Sequence, residues 1–324
     1  MIEFILNRFY LFIIAIILGV FYKRFLDKYE REDDIKRYEL IRHFLLNESD
    51  IATSTLPILW IHVPYELNSR SWISFNSRTS KELNLSYIQL SISSIIKHCG
   101  RDFKICLIDD KSFNKLIPDW NIDVDGVGSP VKEKVRFLGK LKLLKYYGGM
   151  FVPQSFLCLT SLKTMMHEGT RNNLPFVCDK KNNTLNGGDF IAGTEIIGAS
   201  KNNIHIDTMI RSNELLISQD NTQASNIIGK NEQVLNTMIN QSKINVIDSK
   251  HIGVKDVDNR PIGLEELFSR DYIKFDNKLH GILIPHEQLV KRHTYNWFCK
   301  LSEYEVFQCD NILCKYFLMS NEVI

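Results

Sequence analysis

Two aspartates that follow an apolar run are the first residues whose pattern is typical of chemistry. The segment FKICLIDD ends in Asp109 and Asp110, and its apolar stretch predicts a buried strand. Ligands of parallel sheets bind beyond the carboxyl ends of the strands, where carboxylates can hydrogen-bond a ribose or a base. A turn or a helix cap uses the same two side chains equally well. The residues alone leave both interpretations open.

A run of basic residues is the second candidate for chemistry. Apolar residues at helical spacing predict a helix over residues 131–147, which ends at Gly148. The helical pattern points six basic side chains outward, namely Lys132, Lys134, Arg136, Lys140, Lys142 and Lys145. These side chains could meet phosphates, or they could form a solvated helix face.

The later histidines and the isolated carboxylates give weaker evidence of a functional site. His280, His286 and His293 are spaced by six and seven residues, which does not match a helical i, i+4 ligand pair, and no metal site is predicted from them. Asp189, Glu195 and Asp207 could act as general bases or as ordinary turn and cap residues. No catalytic residue is assigned.

Composition excludes some classes of protein. The 324 residues include 40 basic and 38 acidic side chains, a net charge of +2, so no global field favours nucleic acid as a partner. The seven cysteines contain no Cys-x-x-Cys pair, which predicts reduced, buried thiols and no zinc or redox site. A hydrophobic content of 44% is sufficient for one main globular domain.

Strand and helix patterns alternate from residue 57 onward. ILWIHV, FKICLIDD, MFV, PFVC, FIAGTEIIGAS and KINVID predict strands, and helical patterns separate the first three of them. This alternation predicts a mainly parallel α/β sheet with helices on both faces. Asp109, Asp110 and the loop at residues 153–155 would then share one edge of the sheet.

Four segments carry a resemblance to a known family. They are LPILWIHVP, FKICLIDD, LGKLKLLKYYGGMFV and NNTLNGGDFIAGTEIIGASKNN, spread over residues 56–205. Together they resemble the glycosyltransferases with an Asp-x-Asp sugar-binding motif, which include mannosyltransferase-like and capsular polysaccharide enzymes. The resemblance implies a GT-A-like, Rossmann-type fold, a nucleotide-diphosphosugar donor and a Mn or Mg ion. Proteins of this type also occur in large DNA viruses, which implies a viral or virion protein.

The family's motif is altered at its acidic positions. Gly148 and Gly149 match the family's glycine pair, whereas its two aspartates fall on Pro153 and Ser155. Neither residue can supply an anionic oxygen ligand, so no metal is expected. The family's upstream Asp and Arg fall on Phe137 and Lys140. The nucleotide-sugar contacts implied by the resemblance and by the strand ends are Asp109, Asp110, Lys140, Gly148, Gly149 and Ser155.

Two functions follow from this alteration. The first is a degenerate glycosyltransferase-like protein that serves a binding or structural role. The second is an active, metal-independent glycosyltransferase that moves a sugar from a nucleotide-diphosphosugar to an acceptor hydroxyl.

The amino-terminal end predicts a membrane anchor. Residues 4–22 form 19 mostly apolar positions, nearly the length of a helix that spans a bilayer. The sequence therefore predicts an anchor at 1–24, a charged helical stalk at 25–51 and a glycosyltransferase-like α/β domain at 52–324. Basic residues after the apolar stretch predict a single-pass protein with a cytosolic domain.

Overall fold

A computed structural model of the chain describes residues 56–64, 85–181, 190–219 and 229–321. All of them belong to one compact unit, Asn47–Ile324. The predicted anchor and stalk, and Asp189, lie outside the described residues.

The structure corrects the prediction of a membrane location. Within the described ranges no helix is both long enough and apolar enough to cross a bilayer. The predicted span itself, residues 4–22, is not among those ranges.

The central sheet is built from most of the predicted strands. The described strands are β1 (Ile58–His62), β2 (Lys104–Ile108), β3 (Gly149–Phe151), β4 (Phe156–Cys158), β5 (Phe176–Lys181), β6 (Phe190–Ala199), β7 (Asn245–Ile247) and β8 (Gly281–Leu283). Six of them form a sheet in the order β2-β1-β3-β6-β5-β7, and β4 pairs with β8 in a separate small sheet.

The sheet is mixed and mainly parallel. Strand β1 pairs in parallel with β2 and with β3, and β5 pairs in parallel with β7. Strand β6 is antiparallel to both of its neighbours, β3 and β5. Among the strands described in this sheet, β6 alone therefore runs against the others, and the remaining five end at one edge.

Helices connect and cover the strands. The described α-helices are α1 (Ser86–Cys99), α2 (Ser112–Leu116), α3 (Val131–Tyr147), α4 (Lys163–Gly169), α5 (Ile204–Ser218), α6 (Lys230–Asn240), α7 (Leu264–Leu267), α8 (His286–Lys291), α9 (Glu303–Gln308) and α10 (Ile312–Asn321). Short 3-10 turns occupy Arg171–Asn173, Ser249–Ile252 and Asn296–Lys300.

The glycine pair after α3 has a packing role that explains it. Gly149 has φ +97°, and a Cβ at this position would lie 2.1 Å from the carbonyl oxygen of Ile58. Only glycine allows β3 to start this close to β1. The Gly148 carbonyl accepts a hydrogen bond from Trp60 Nε1 at 2.9 Å. Both glycines thus lie at the amino end of β3, where they set the register of the central strands.

Burial on α3 differs from the predicted solvated face. Val135, Leu138, Leu141 and Leu144 face the core as predicted. However, Lys134 and Arg136 are also buried, with 8% and 9% of their surface exposed. The prediction that all six basic residues point outward is wrong for these two: Arg136 pairs with the Asp110 carboxylate, and Asn213 of α5 hydrogen-bonds the Lys134 carbonyl.

Candidate functional site

The carboxyl edge of the sheet brings three predicted segments together. Because β1, β2 and β3 are parallel, the residues after His62, Ile108 and Phe151 lie at the same edge. The Val63 N–H donates to the Ile108 carbonyl at 2.8 Å, and the Val152 N–H donates to the Trp60 carbonyl at 3.0 Å. This edge is where an open α/β sheet binds its ligands.

A buried ion network occupies the end of β1 and β2. Asp110 Oδ1 accepts a hydrogen bond from His62 Nε2 at 2.9 Å. Arg136 reaches the same carboxylate from α3, with Nε at 3.0 and 3.2 Å and Nη2 at 2.7 Å from its oxygens. The Asp110 and Arg136 side chains are only 10% and 11% exposed. This forked geometry is the strong form of an arginine–carboxylate pair.

The protonation states in this network follow from burial and pairing. Burial opposes ionisation of Asp110, but hydrogen bonds from His62 and Arg136 outweigh it and hold the pKa of this carboxyl well below its usual range. Burial lowers the pKa of His62 to about 4, against the opposing effect of Asp110. His62 is therefore neutral at pH 7, and its Nε2–H donates to the Asp110 carboxylate.

Asp109 takes part in a local turn. Its Oδ1 accepts hydrogen bonds from the Ser112 N–H at 2.8 Å and from Ser112 Oγ at 2.6 Å. The Asp109 N–H donates back to Ser112 Oγ at 3.1 Å. These contacts match the turn and cap interpretation, and a nucleotide contact by Asp109 stays a prediction.

Lys140 is a cation without a carboxylate partner in the described part of the chain. Its side chain is half-buried, and Nζ lies 5.8 Å from the centre of the Phe151 ring. No ion pair joins Lys140 to any described carboxylate, although Asp110 and Glu195 lie near enough to influence it. Burial lowers the pKa of Lys140 to about 8, and the Arg136 charge acts in the same direction.

The two positions that align with the acidic motif hold no metal ligand. Ser155 is buried, and its Oγ donates to the Ile284 carbonyl at 3.0 Å. The Ile284 N–H donates to the Ser155 carbonyl at 3.1 Å, and the Pro153 carbonyl accepts from the Phe156 N–H at 3.0 Å. These contacts join the start of β4 to the end of β8, and they commit the serine hydroxyl to structure.

A divalent metal does not fit this arrangement. Mg and Mn require several oxygen ligands, most of them carboxylates, and this strand end offers a proline and a bonded hydroxyl. Among the described residues no group of three or more His, Cys, Asp or Glu side chains could hold a metal ion. The three later histidines contact different elements: His280 contacts Thr160 at 3.2 Å, His286 contacts Tyr87, and His293 is exposed.

Carboxylates elsewhere in the described structure are also paired. Glu195 lies 3.4 Å from Lys180 Nζ, which is equally far from Glu232. Asp207 pairs with Lys145 at 2.5 Å. Asp179, at the end of β5, accepts from the Ser249 N–H at 2.6 Å and from Lys255 Nζ at 3.2 Å. Among these acidic residues, each therefore has a cation close by.

Sequence reasoning missed two members of the best-defined cluster. His62 is the last residue of β1. Its position, a polar residue at the end of an apolar strand, could have identified it as a candidate site residue. Arg136 was treated as one of six outward charges, whereas it lies one turn from Lys140 on the same helix face. Gly148 and Gly149 lie at the amino end of β3, away from these side chains.

Comparisons with known proteins are sparse. No family model and no curated protein matches this chain. Solved structures similar to it include the glycosyltransferase GlyE of Streptococcus pneumoniae TIGR4, at TM-score 0.36 and 12% identity, covering 61% of this chain and 46% of that chain. The PaToxG glycosyltransferase is similar at TM-score 0.33 and 17% identity, and the match covers 64% of this chain and 80% of that chain.

The apo structure of WbbM, a bifunctional glycosyltransferase, is similar at TM-score 0.37 and 12% identity, covering 65% of this chain and 41% of that chain. The match covers less than half of the length of GlyE and less than half of the length of WbbM. At these TM-scores the similarities carry no argument about activity.

Proposed function

We propose that this protein is a glycosyltransferase-like binding protein of the GT-A-like, Rossmann type, which binds a nucleotide-diphosphosugar without a divalent metal and does not transfer the sugar. The observation that carries the proposal is the environment of Ser155. Its hydroxyl is buried and bonded to the Ile284 carbonyl at a position where a metal-dependent enzyme of this kind needs a carboxylate.

Lys140 supports the binding part of the proposal. A half-buried ammonium group without a carboxylate partner is costly, because burial removes part of its hydration. Its lowered pKa, about 8, reports that cost. A diphosphate at the carboxyl edge of the sheet would neutralise this charge. The ammonium would then take over part of the electrostatic role of a metal ion.

The alteration of several positions together supports the absence of transfer. Leaving-group departure requires stabilisation of the charge that develops on the diphosphate. Pro153, Ser155 and Phe137 stand where the family pattern has acidic residues, and Lys140 has one charge in place of two on a metal ion. Arg136, the nearest other cation on α3, already binds Asp110 in a bidentate pair.

A second function is favoured by the same lysine. The Lys140 ammonium could stabilise a diphosphate leaving group directly, as metal-independent transfer requires. Glu195, whose side chain is 41% exposed and lies near enough to raise the pKa of Lys140, could accept the proton of an acceptor hydroxyl. Binding and transfer are separable by experiment.

The test uses the full chain and a panel of UDP-, GDP- and dTDP-sugars at about 1 mM, with either EDTA or Mn. At roughly 100 times its dissociation constant a ligand stabilises the protein by about 2.7 kcal/mol. We expect one sugar nucleotide to raise the melting temperature equally in EDTA and in Mn. Lys140→Met should abolish the shift, whereas Lys142→Met, which removes a partly exposed lysine paired with Glu214, should retain it.

The outcomes separate the two functions. Binding without release of free nucleotide over hours supports the binding protein. Turnover in EDTA that is lost in Lys140→Met supports the metal-independent transferase. A shift or a turnover that needs Mn contradicts both, and no shift with any nucleotide sugar contradicts donor binding.

A further inference from the structure

We propose that Cys99 and Cys158 form a latent disulfide that links α1 to β4. Their sulfur atoms lie 3.7 Å apart, and both side chains are fully buried. The two residues are separated by 59 positions in the chain, so the link would be a long-range one.

This pair differs from two other buried cysteines of the same protein, Cys106 and Cys178. All seven cysteines are free thiols in the structure. Cys106 and Cys178 are buried in β2 and β5, and neither has a sulfur neighbour in the described part of the chain. Contact between two thiols is therefore not a general result of burial. A second such contact joins Cys314 to the partly exposed Cys309, only five positions away in the chain.

Hydrogen bonds hold the backbone of Cys158 in place. Its N–H donates to Ser94 Oγ on α1 at 2.9 Å. Its carbonyl accepts from Ser320 Oγ on α10 at 2.6 Å. Because β4 is anchored to α1 through Ser94, the distance between the two elements is fixed near the cysteine pair.

The Cys99 backbone is held in a similar way. The N–H groups of Asp102 and Phe103 donate to the Cys99 carbonyl at 3.0 and 2.9 Å. A disulfide requires a sulfur–sulfur distance of about 2.05 Å, so rotation of the side chains must bring the sulfurs closer by about 1.6 Å. The cost includes the bond that Cys158 Sγ donates to the Thr160 carbonyl at 3.1 Å.

The two thiols are suited to different steps of the reaction. The contact with Cys158 lowers the pKa of Cys99, whereas the same contact and burial raise the pKa of Cys158 well above its ordinary value. Cys99 is the last residue of α1 and precedes the exposed residues Gly100 and Arg101. Opening of the last helical turn would therefore give an oxidant access to Cys99 first.

A small disulfide such as oxidised glutathione is the oxidant. The Cys99 thiolate attacks one glutathione sulfur, which forms a mixed disulfide and releases one glutathione thiolate. The Cys158 thiol then gives up its proton and attacks Cys99 Sγ, which releases the second glutathione. The two cysteines lose two electrons and two protons in total, and one glutathione disulfide becomes two thiols.

The test is oxidation of the reduced full chain with oxidised glutathione, followed by alkylation in denaturant and digestion with trypsin. Cys99 lies in the peptide 98–101 and Cys158 in the peptide 146–163. We expect these two peptides to be joined, with a mass 2 Da below the sum of the reduced peptides. Cys106 and Cys178 should remain fully alkylated.

Melting curves give an independent readout. Closing a long loop should raise the melting temperature of the oxidised chain by about 5 °C or more. Cys99→Ala should lose both this shift and the joined peptide, whereas Cys178→Ala, an equally buried cysteine without a sulfur neighbour, should keep both. Absence of the joined peptide under conditions that oxidise the partly exposed Cys309, either with glutathione or with its neighbour Cys314, overturns the proposal.

Discussion

Two strand ends at the same edge of the sheet have opposite chemistry. At the end of β1 and β2, Asp110 is held by His62 and Arg136 in a buried ion network. At the end of β3, Pro153 and Ser155 carry no charge, and the Ser155 hydroxyl bonds the Ile284 carbonyl. The ends of β1 and β2 keep charged groups, which costs desolvation energy. The end of β3 is uncharged and hydrogen-bonds the segment that follows β8.

This difference shows that neighbouring strand ends of one sheet can differ completely in charge. The β3 end offers no ligands for a hard metal and makes a regular turn into β4. Positive charge at the edge persists on α3, through Arg136 and Lys140. Electrostatic chemistry at this edge therefore depends on α3 and on the end of β2 more than on the loop at residues 153–155.

Asp110→Asn removes the negative charge of the network at the ends of β1 and β2, and it should have the largest effect on stability. The variant removes the carboxylate charge from the bidentate pair with the buried Arg136 guanidinium, which should lower the free energy of unfolding by about 3 kcal/mol. Urea unfolding at pH 7 measures this loss. Asp125→Asn, at an exposed carboxylate, should change stability by less than about 0.5 kcal/mol. A loss of similar size in both variants would contradict a special role of the network.

His62 should make the charged strand end sensitive to pH. Its pKa is about 4 in the folded protein, against 6.5 for an ordinary histidine. As the pH falls from 6.5 toward 4, the unfolded chain binds a proton that the folded chain does not. The contribution of His62 to the free energy of unfolding is therefore fully present above pH 6.5 and is lost as the pH falls through this window. Between pH 7.5 and 5, this contribution should amount to about 2 kcal/mol.

The measurement for His62 is unfolding free energy against pH in the wild type and in His62→Gln. The difference between the two curves should be flat above pH 7 and change steadily below 6.5. His293→Gln, at an exposed histidine, provides the control and should follow the wild-type curve. A constant offset between wild type and His62→Gln at all pH values would show that His62 titrates normally.

Ser155→Ala tests the uncharged strand end and should have the smallest effect. It removes one hydrogen bond to the Ile284 carbonyl, which still accepts from the His286 N–H at 2.7 Å. Loss of a single neutral hydrogen bond should cost about 1 kcal/mol. Chemical denaturation measures the change, and nucleotide-sugar binding should be unaffected. Loss of binding with intact stability would return Ser155 to the ligand site.

Much of the fold could be predicted from local patterns. The helix at Val131–Tyr147 and the strand after it were placed by apolar spacing and by the glycine pair. Strands β1 and β2 follow nearly continuous apolar runs, and β5 and β6 contain shorter apolar runs. The pairing of β4 with β8 was not predicted, because its members are three residues each and lie far apart in the chain.

The site was less predictable than the fold. Asp110 was identified from its place at a strand end, but its partners His62 and Arg136 come from 48 and 26 positions away. Helical periodicity predicted that Arg136 is exposed, because the spacing of apolar residues along one helix contains no information about a carboxylate 26 positions away. The prediction for Lys140 came from alignment with a family pattern and not from its own surroundings.

Sequence by itself determined the absence of carboxylates after β3, because residue type alone decides that proline and serine cannot supply anionic ligands. It also determined the α/β class, since strand and helix periods are local properties. Only the tertiary structure decided that Ser155 bonds Ile284, that Arg136 is buried against Asp110 and that Cys99 meets Cys158. These contacts join residues distant in sequence, and their energies depend on burial, which no local pattern encodes.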